Sequence, residues 1–129
     1  MLKYIELKTG YAHNGPAWIA RVAVSRSGTT VYFKDKALRR GNGVQGNYFD
    51  TETGDEYWVS GAKKDGKDRH RLGSGKVAIE ASAVGEYLEL TGATEVDRSR
   101  FDVVPDLPAP DRARLHALEN ETLEEKREP

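Results

Sequence analysis

"WIARVAVSRSGTTVYF", Trp18 to Phe33, is the stretch whose reading decides the fold. Trp18, Ala20, Val22 and Val24 alternate with Ile19, Arg21, Ala23 and Ser25, the period of two of an extended strand with one face buried. Trp18 and Val22 are expected to face the core. Ser25-Arg26-Ser27-Gly28 is turn chemistry, and Thr29–Phe33 is rich in the β-branched and aromatic residues that suit a pleated surface. Two strands joined by a hairpin turn follow from this pattern.

Working outward, Tyr4–Lys8 predicts a strand that ends at Thr9-Gly10, and Asn14-Gly15-Pro16 is a break before the deciding stretch. Beyond Phe33, short strands are expected at 37–40, 47–50 and 56–60, separated by a Gly-rich loop and by the turn Thr51-Glu52-Thr53-Gly54. Residues 60–76 are expected to turn at Lys64-Asp65-Gly66-Lys67 and return towards a strand at 76–79. The period then changes. Ala81, Val84, Tyr87 and Leu88 recur at helical spacing, with Ser82 or Glu80 to serve the entry and Gly92 to end the helix, so one short helix is expected over 81–91. Phe101–Val104 predicts a last strand. The expected fold is mainly β: a small antiparallel, partly open barrel, SH3-like or OB-like, with one short helix and a charged C-terminal tail. Residues 1–104 are read as a single β-rich globular domain and 105–129 as a Pro-rich linker and a charged helical or disordered tail, in which Leu115, Leu118 and Leu123 share roughly one face.

Composition narrows the function classes. The 129 residues hold 20 Lys+Arg against 21 Asp+Glu, so bulk charge supplies no general attraction to nucleic acid or an anionic membrane. The absence of cysteine excludes disulfides, thiol nucleophiles and thiolate metal sites. No apolar run approaches the ~20 residues of a membrane span, and the start lacks a signal-peptide pattern, so no membrane partner and a cytoplasmic location are expected.

Several short motifs resemble functional signatures and fail on context. Gly41-Asn42-Gly43-Val44-Gln45-Gly46 spells G-x-G-x-x-G, but a dinucleotide loop opens a helix, whereas the strand-like Tyr48-Phe49 follows here. Gly73-Ser74-Gly75-Lys76 would need glycine at His70 and Ser or Thr at Val77 to complete a P-loop. His13, His70 and His116 have no metal-ligand spacing, and the acidic run Asp50–Glu56 lacks a calcium-loop framework. No catalytic residue, metal or cofactor is therefore assigned.

The strongest chemical signal is Ser60–Lys76, where Lys63, Lys64, Lys67, Arg69, Arg71 and Lys76 outnumber Asp65 and Asp68 to leave a local charge of +4. Such asymmetry suits an anionic partner. With His70, these six residues form the candidate anion or nucleic-acid site; Tyr48, Tyr57 and Trp58 are the candidate stacking surfaces, and Arg39 and Arg40 candidate auxiliaries. A solvated hairpin carrying lysines for solubility is the competing reading.

The segments "YIELKTG", "NGPAWIARV", "TVYF", "ETGDEYWVSGAKKDGKDRH" and "GSGKVAIE", spread from Tyr4 to about Leu90, resemble a family of small bacterial proteins of about this length and without an established role. Similar sequences carry the name 1-deoxy-xylulose-5-phosphate synthase. Thiamine-diphosphate enzymes of that kind are several times longer and use a Gly-Asp-Gly segment to hold the magnesium diphosphate. No Gly-Asp-Gly occurs here, so that activity is not carried over. The expected function is a non-enzymatic binding module for RNA, single-stranded DNA or another polyanion. The alternatives are an accessory subunit that docks on a protein partner by a strand edge or its C-terminal tail and, last, a small enzyme acting on a phosphorylated metabolite through His70 and Asp68.

Overall fold

The computed structural model of the chain describes residues 1–8, 15–69 and 75–106. His70, Arg71 and the tail from residue 107 lie outside them. Among the described residues nine strands form one sheet: β1 (Leu2–Leu7), β2 (Ala17–Arg21), β3 (Ala23–Val24), β4 (Thr30–Phe33), β5 (Lys36–Arg40), β6 (Tyr48–Asp50), β7 (Glu56–Gly61), β8 (Val77–Glu80) and β9 (Phe101–Val104). Between β8 and β9 come a 3-10 turn, Ala81–Ala83, and one helix, α1 (Val84–Thr91). The order across the sheet is β3-β4-β5-β6-β7-β1-β2-β8-β9. β2–β8 and β8–β9 pair in parallel, and every other pair is antiparallel.

The deciding stretch explains the curl. Only Val22 separates β2 from β3, yet β2 pairs with β1 (Leu2↔Arg21) while β3 pairs with β4 (Ala23↔Tyr32). One bent run, 17–24, thus takes part at two distant places in the sheet and draws them together into a partly open barrel. At the bend the Val22 amide donates to the Met1 carbonyl at 2.8 Å, and the Met1 amino group donates to the Val22 carbonyl at 3.1 Å. The bend therefore leaves neither backbone group of Val22 unpaired, which a buried position requires.

β1 and β2 are largely buried on both faces. Inside the curl pack Ile5, Ala20, Val22, Val31, Phe33, Leu38, Tyr48, Tyr57 and Val59, with Trp18 at the margin, its ring 5.1 Å from that of Phe33. Lys34, in the left-handed region at the β4–β5 turn, lays its ammonium 4.0 Å above the Trp18 ring. Burial there lowers its pKa below the ordinary lysine value. Across the sheet Tyr4, Ile19, Val77, Ile79, Ala83, Tyr87 and Phe101 form a second core covered by the 3-10 turn and α1. Trp18 and Val22 face the first core as the alternation predicts, but Ile19, between them, is equally buried in the second.

The helix ends as expected, with Gly92 in the left-handed conformation and its amide bonded to the Leu88 carbonyl. Its entry differs. Neither Ser82 nor Glu80 provides a side-chain cap: the Glu80 carboxylate instead accepts the Arg21 amide at 3.0 Å, tying β8 to β2. Residues 62–76 also differ from a hairpin, because β7 and β8 are separated by β1 and β2. The segment is a crossover between parallel strands.

Leu38 is fully buried, so Leu38→Ala is expected to lower the unfolding free energy by about 2–5 kcal/mol. Gly85 has open space where a Cβ would stand, so Gly85→Ala is expected to raise it by about 0.5–1 kcal/mol. Urea unfolding midpoints measure both.

Candidate binding groove and basic crossover

The site is built first from alternation in β7. Tyr57 and Val59 point into the first core, which leaves Trp58 on the opposite face, 41% exposed. Its cross-strand neighbour on β1 is Glu6, and Ser60 pairs with Tyr4. Glu6 is buried yet charged for a visible reason. The Tyr4 hydroxyl donates to its Oε1 at 2.5 Å, and the Lys8 ammonium ion-pairs with its Oε2 at 2.9 Å. Burial, reinforced by the Glu6 carboxylate, pushes the Tyr4 phenol far above its ordinary pKa and keeps it a donor.

The crossover supplies the second half. Asp68 is buried, accepting the Lys63 amide on Oδ1 at 2.7 Å and the Tyr87 hydroxyl of α1 on Oδ2 at 3.2 Å. Gly66 takes a positive φ of 71°, its amide bonds to the Lys63 carbonyl, and its own carbonyl accepts Arg100 Nη2 at 2.5 Å. A Cβ at Gly66 would stand 3.3 Å from the Tyr87 hydroxyl, so this close approach to the helix favours glycine. The turn is thus fastened to α1 and to Arg100, and Lys63, Lys64 and Lys67 project from it, exposed. Among the described residues no carboxylate closes an ion pair with any of these three lysines.

Between β1, β7 and the crossover lies a groove of about 280 Å³. Tyr4, Glu6 and Asp68 contribute its buried lining, Trp58 an exposed aromatic surface, and Lys8, Gln45 and Lys63 its remaining polar groups. Gln45 is set by Glu56, whose carboxylate accepts the amides of Gln45 and Gly46 at 3.3 Å. The glycines of this 41–46 loop serve packing: a Cβ at Gly46 would lie 2.6 Å from the Tyr57 carbonyl, and β6, not a helix, follows.

The remaining sequence candidates disperse. The Arg69 guanidinium donates to the Gly15 carbonyl at 2.9 Å and helps tether the chain before β2, while its charge still acts on Tyr4. Lys76 lies 3.6 Å from Asp102 on β9. Tyr48 and Tyr57, offered as stacking surfaces, are only 6% and 3% exposed in the first core, and the Tyr48 hydroxyl is bonded to the Gly28 carbonyl. Neither offers an open ring face, so Trp58 alone of the three does. Arg40 lies beside the Tyr48 ring in the row of Tyr57, two strands away and four residues short of Gly61, roughly 16 Å from the crossover at 3.3 Å per residue and 4.8 Å per strand. Arg40 therefore stands apart from the lysines of the crossover. His70 and Arg71 lie outside the described residues.

Sequence reasoning missed Tyr4, Glu6, Lys8 and Gln45 as groove residues, and Tyr87 and Arg100 as supports. The available signal was Glu6 itself, a carboxylate in a strand whose neighbours are apolar on both faces. Among the described residues no group of three or more His, Asp or Glu converges to hold a metal ion, and no helix is long and apolar enough to cross a membrane. No family model, curated protein or solved structure matches the chain.

Burial raises the Asp68 pKa above its ordinary value, against the Lys63 amide, the Tyr87 hydroxyl and the Lys63 charge, which pull it down. The folded state therefore holds the Asp68 proton more tightly than the unfolded chain does. The stabilisation this gives is complete below the ordinary carboxylate pKa and fades as pH rises through the raised value. Asp68→Asn is expected to keep the fold and flatten this part of the stability–pH curve. Asp68→Ala, which also strands the Lys63 amide and the Tyr87 hydroxyl, is expected to cost about 1–3 kcal/mol, most at low pH, where the Asp68 contribution is complete. Denaturant titrations between pH 4 and 8 distinguish the two.

Proposed function

We propose that the protein is a non-enzymatic binding module that holds RNA, single-stranded DNA or another polyanion on the crossover between β7 and β8. The observation that carries this reading is the set of exposed lysines, Lys63, Lys64 and Lys67, unpaired with carboxylates among the described residues and fixed by a turn tied to Asp68, Tyr87 and Arg100. A tethered turn presents its charges without first paying to order the backbone. The buried acids Glu6 and Asp68 line the groove that Lys63 and Trp58 also border. An enzymatic reading through Asp68 is disfavoured, since Asp68 is buried and its carboxylate fastens the crossover to the fold through the Lys63 amide and the Tyr87 hydroxyl.

A second reading, docking of a protein partner, draws on β9, whose outer edge pairs with no strand among the described residues. An extended peptide adds naturally to such an edge. That surface does not include the crossover.

Fluorescence polarisation with a labelled single-stranded oligonucleotide tests the first reading. Three phosphate contacts at ~0.7 ions each imply a salt slope near −2, hence roughly 20-fold weaker binding between 50 and 200 mM salt. Charge reversal at Lys63, Lys64 and Lys67 together is expected to abolish binding, and removal of residues 109–129 to leave it unchanged. Salt-insensitive binding, or binding that survives charge reversal, contradicts the proposal.

A further inference from the structure

We infer that the Trp58 groove receives one unpaired nucleobase, stacked on the indole, with the adjoining phosphate turned outward to Lys63. This inference rests on the polyanion reading and names the part of the ligand which that reading leaves open.

The two tryptophans of the chain are treated in opposite ways. Trp18 packs against Phe33 and is covered by the Lys34 ammonium. Trp58 is 41% exposed on a strand whose alternate residues are buried, and it borders a concavity rather than a flat surface. A volume of about 280 Å³ accommodates a single planar base and not a stacked pair of strands. Bases within a duplex are already stacked on both faces, so only an unpaired one is free to lie against the ring.

The distribution of charge sets the orientation. The buried part of the lining carries the carboxylates of Glu6 and Asp68. A phosphate there would meet like charge in a poorly hydrated place, which is strongly disfavoured. Base edges carry N–H donors and tolerate such surroundings, since a carboxylate has about four acceptor positions and Glu6 is seen to use one on each oxygen, for Tyr4 and Lys8. Gln45, exposed at the groove, presents both an amide donor and an acceptor to whatever enters. Lys63 is exposed and lines the same groove, and Lys64 and Lys67 follow it on the turn, where successive phosphates would pass. Base inward and phosphate outward is the arrangement that this polarity permits.

The test uses the full chain carrying Trp18→Phe, so that Trp58 is the one remaining indole. It is titrated with a ten-nucleotide oligodeoxyadenosine, an abasic oligomer of equal charge, and inorganic polyphosphate. The expected result is quenching of Trp58 emission by the oligodeoxyadenosine alone, with affinity roughly 5- to 150-fold above that of the abasic oligomer. Trp58→Ala in the otherwise unaltered chain is expected to erase that advantage and leave abasic binding as it was; Trp58→Phe restores part of it. If the oligodeoxyadenosine and the abasic oligomer bind equally and the emission does not change, base stacking is overturned while polyanion binding stands. If none of the three binds, the polyanion reading itself fails, and this inference with it.

Discussion

The bend at Val22 is the constraint on which the rest of the molecule depends. A straight strand over 17–24 would have one partner on each side and leave an open, merely twisted sheet. By turning at Val22 the run gives its first half to β1 and its second half to β4, and four further pairings from β4 round to β1 must then fit on a closed path. The first core fills that path with nine buried side chains. The backbone pairing of Val22 with Met1 satisfies the polar groups the bend would otherwise strand.

The second core is a consequence of the same geometry. Once the sheet curls towards Ile5, Ala20 and Val22, the outer sides of β1 and β2, with Tyr4 and Ile19, need cover. β8, α1 and β9 supply it, and the chain must cross β1 and β2 to reach β8. The basic crossover is therefore a product of topology as much as of composition. Its charges rise from a segment pinned by a buried carboxylate, and the uncovered part of the same outer face becomes the groove beside Trp58.

Most strands were legible because each is short, alternating and bounded by turn residues; the helix was legible because the period changes at Ala81 and Gly92 ends it. The double burial of β2 was hidden, since Arg21 breaks the second apolar face, although its amide and guanidinium are taken by Glu80 and Glu86. The path of 62–76 was hidden for a different reason. A Gly- and Lys-rich segment of that length serves a hairpin or a crossover equally well, and the partners of β7 and β8 lie far away in the chain. In Tyr57-Trp58 a period of two sends one ring inward and the other outward, but which is which follows from the register with β1, where Trp58 meets Glu6. Glu6 was overlooked because its compensating groups, Tyr4 and Lys8, lie two residues to either side, a spacing that signifies nothing until the strand is extended.

The central place of β1 has a consequence for the order in which the protein comes into being. β1 is made before both of its neighbours, β2 and β7, and β7 is completed some fifty residues after it. At about 5–20 residues per second the outer side of β1 waits a few seconds for its partner. During that interval β1 and β2 have each other, while Glu6 has Tyr4 and Lys8 but no strand beside it carrying Trp58. The groove is thus a late product of synthesis, assembled from the beginning and the middle of the chain, and no nascent fragment shorter than the crossover contains it.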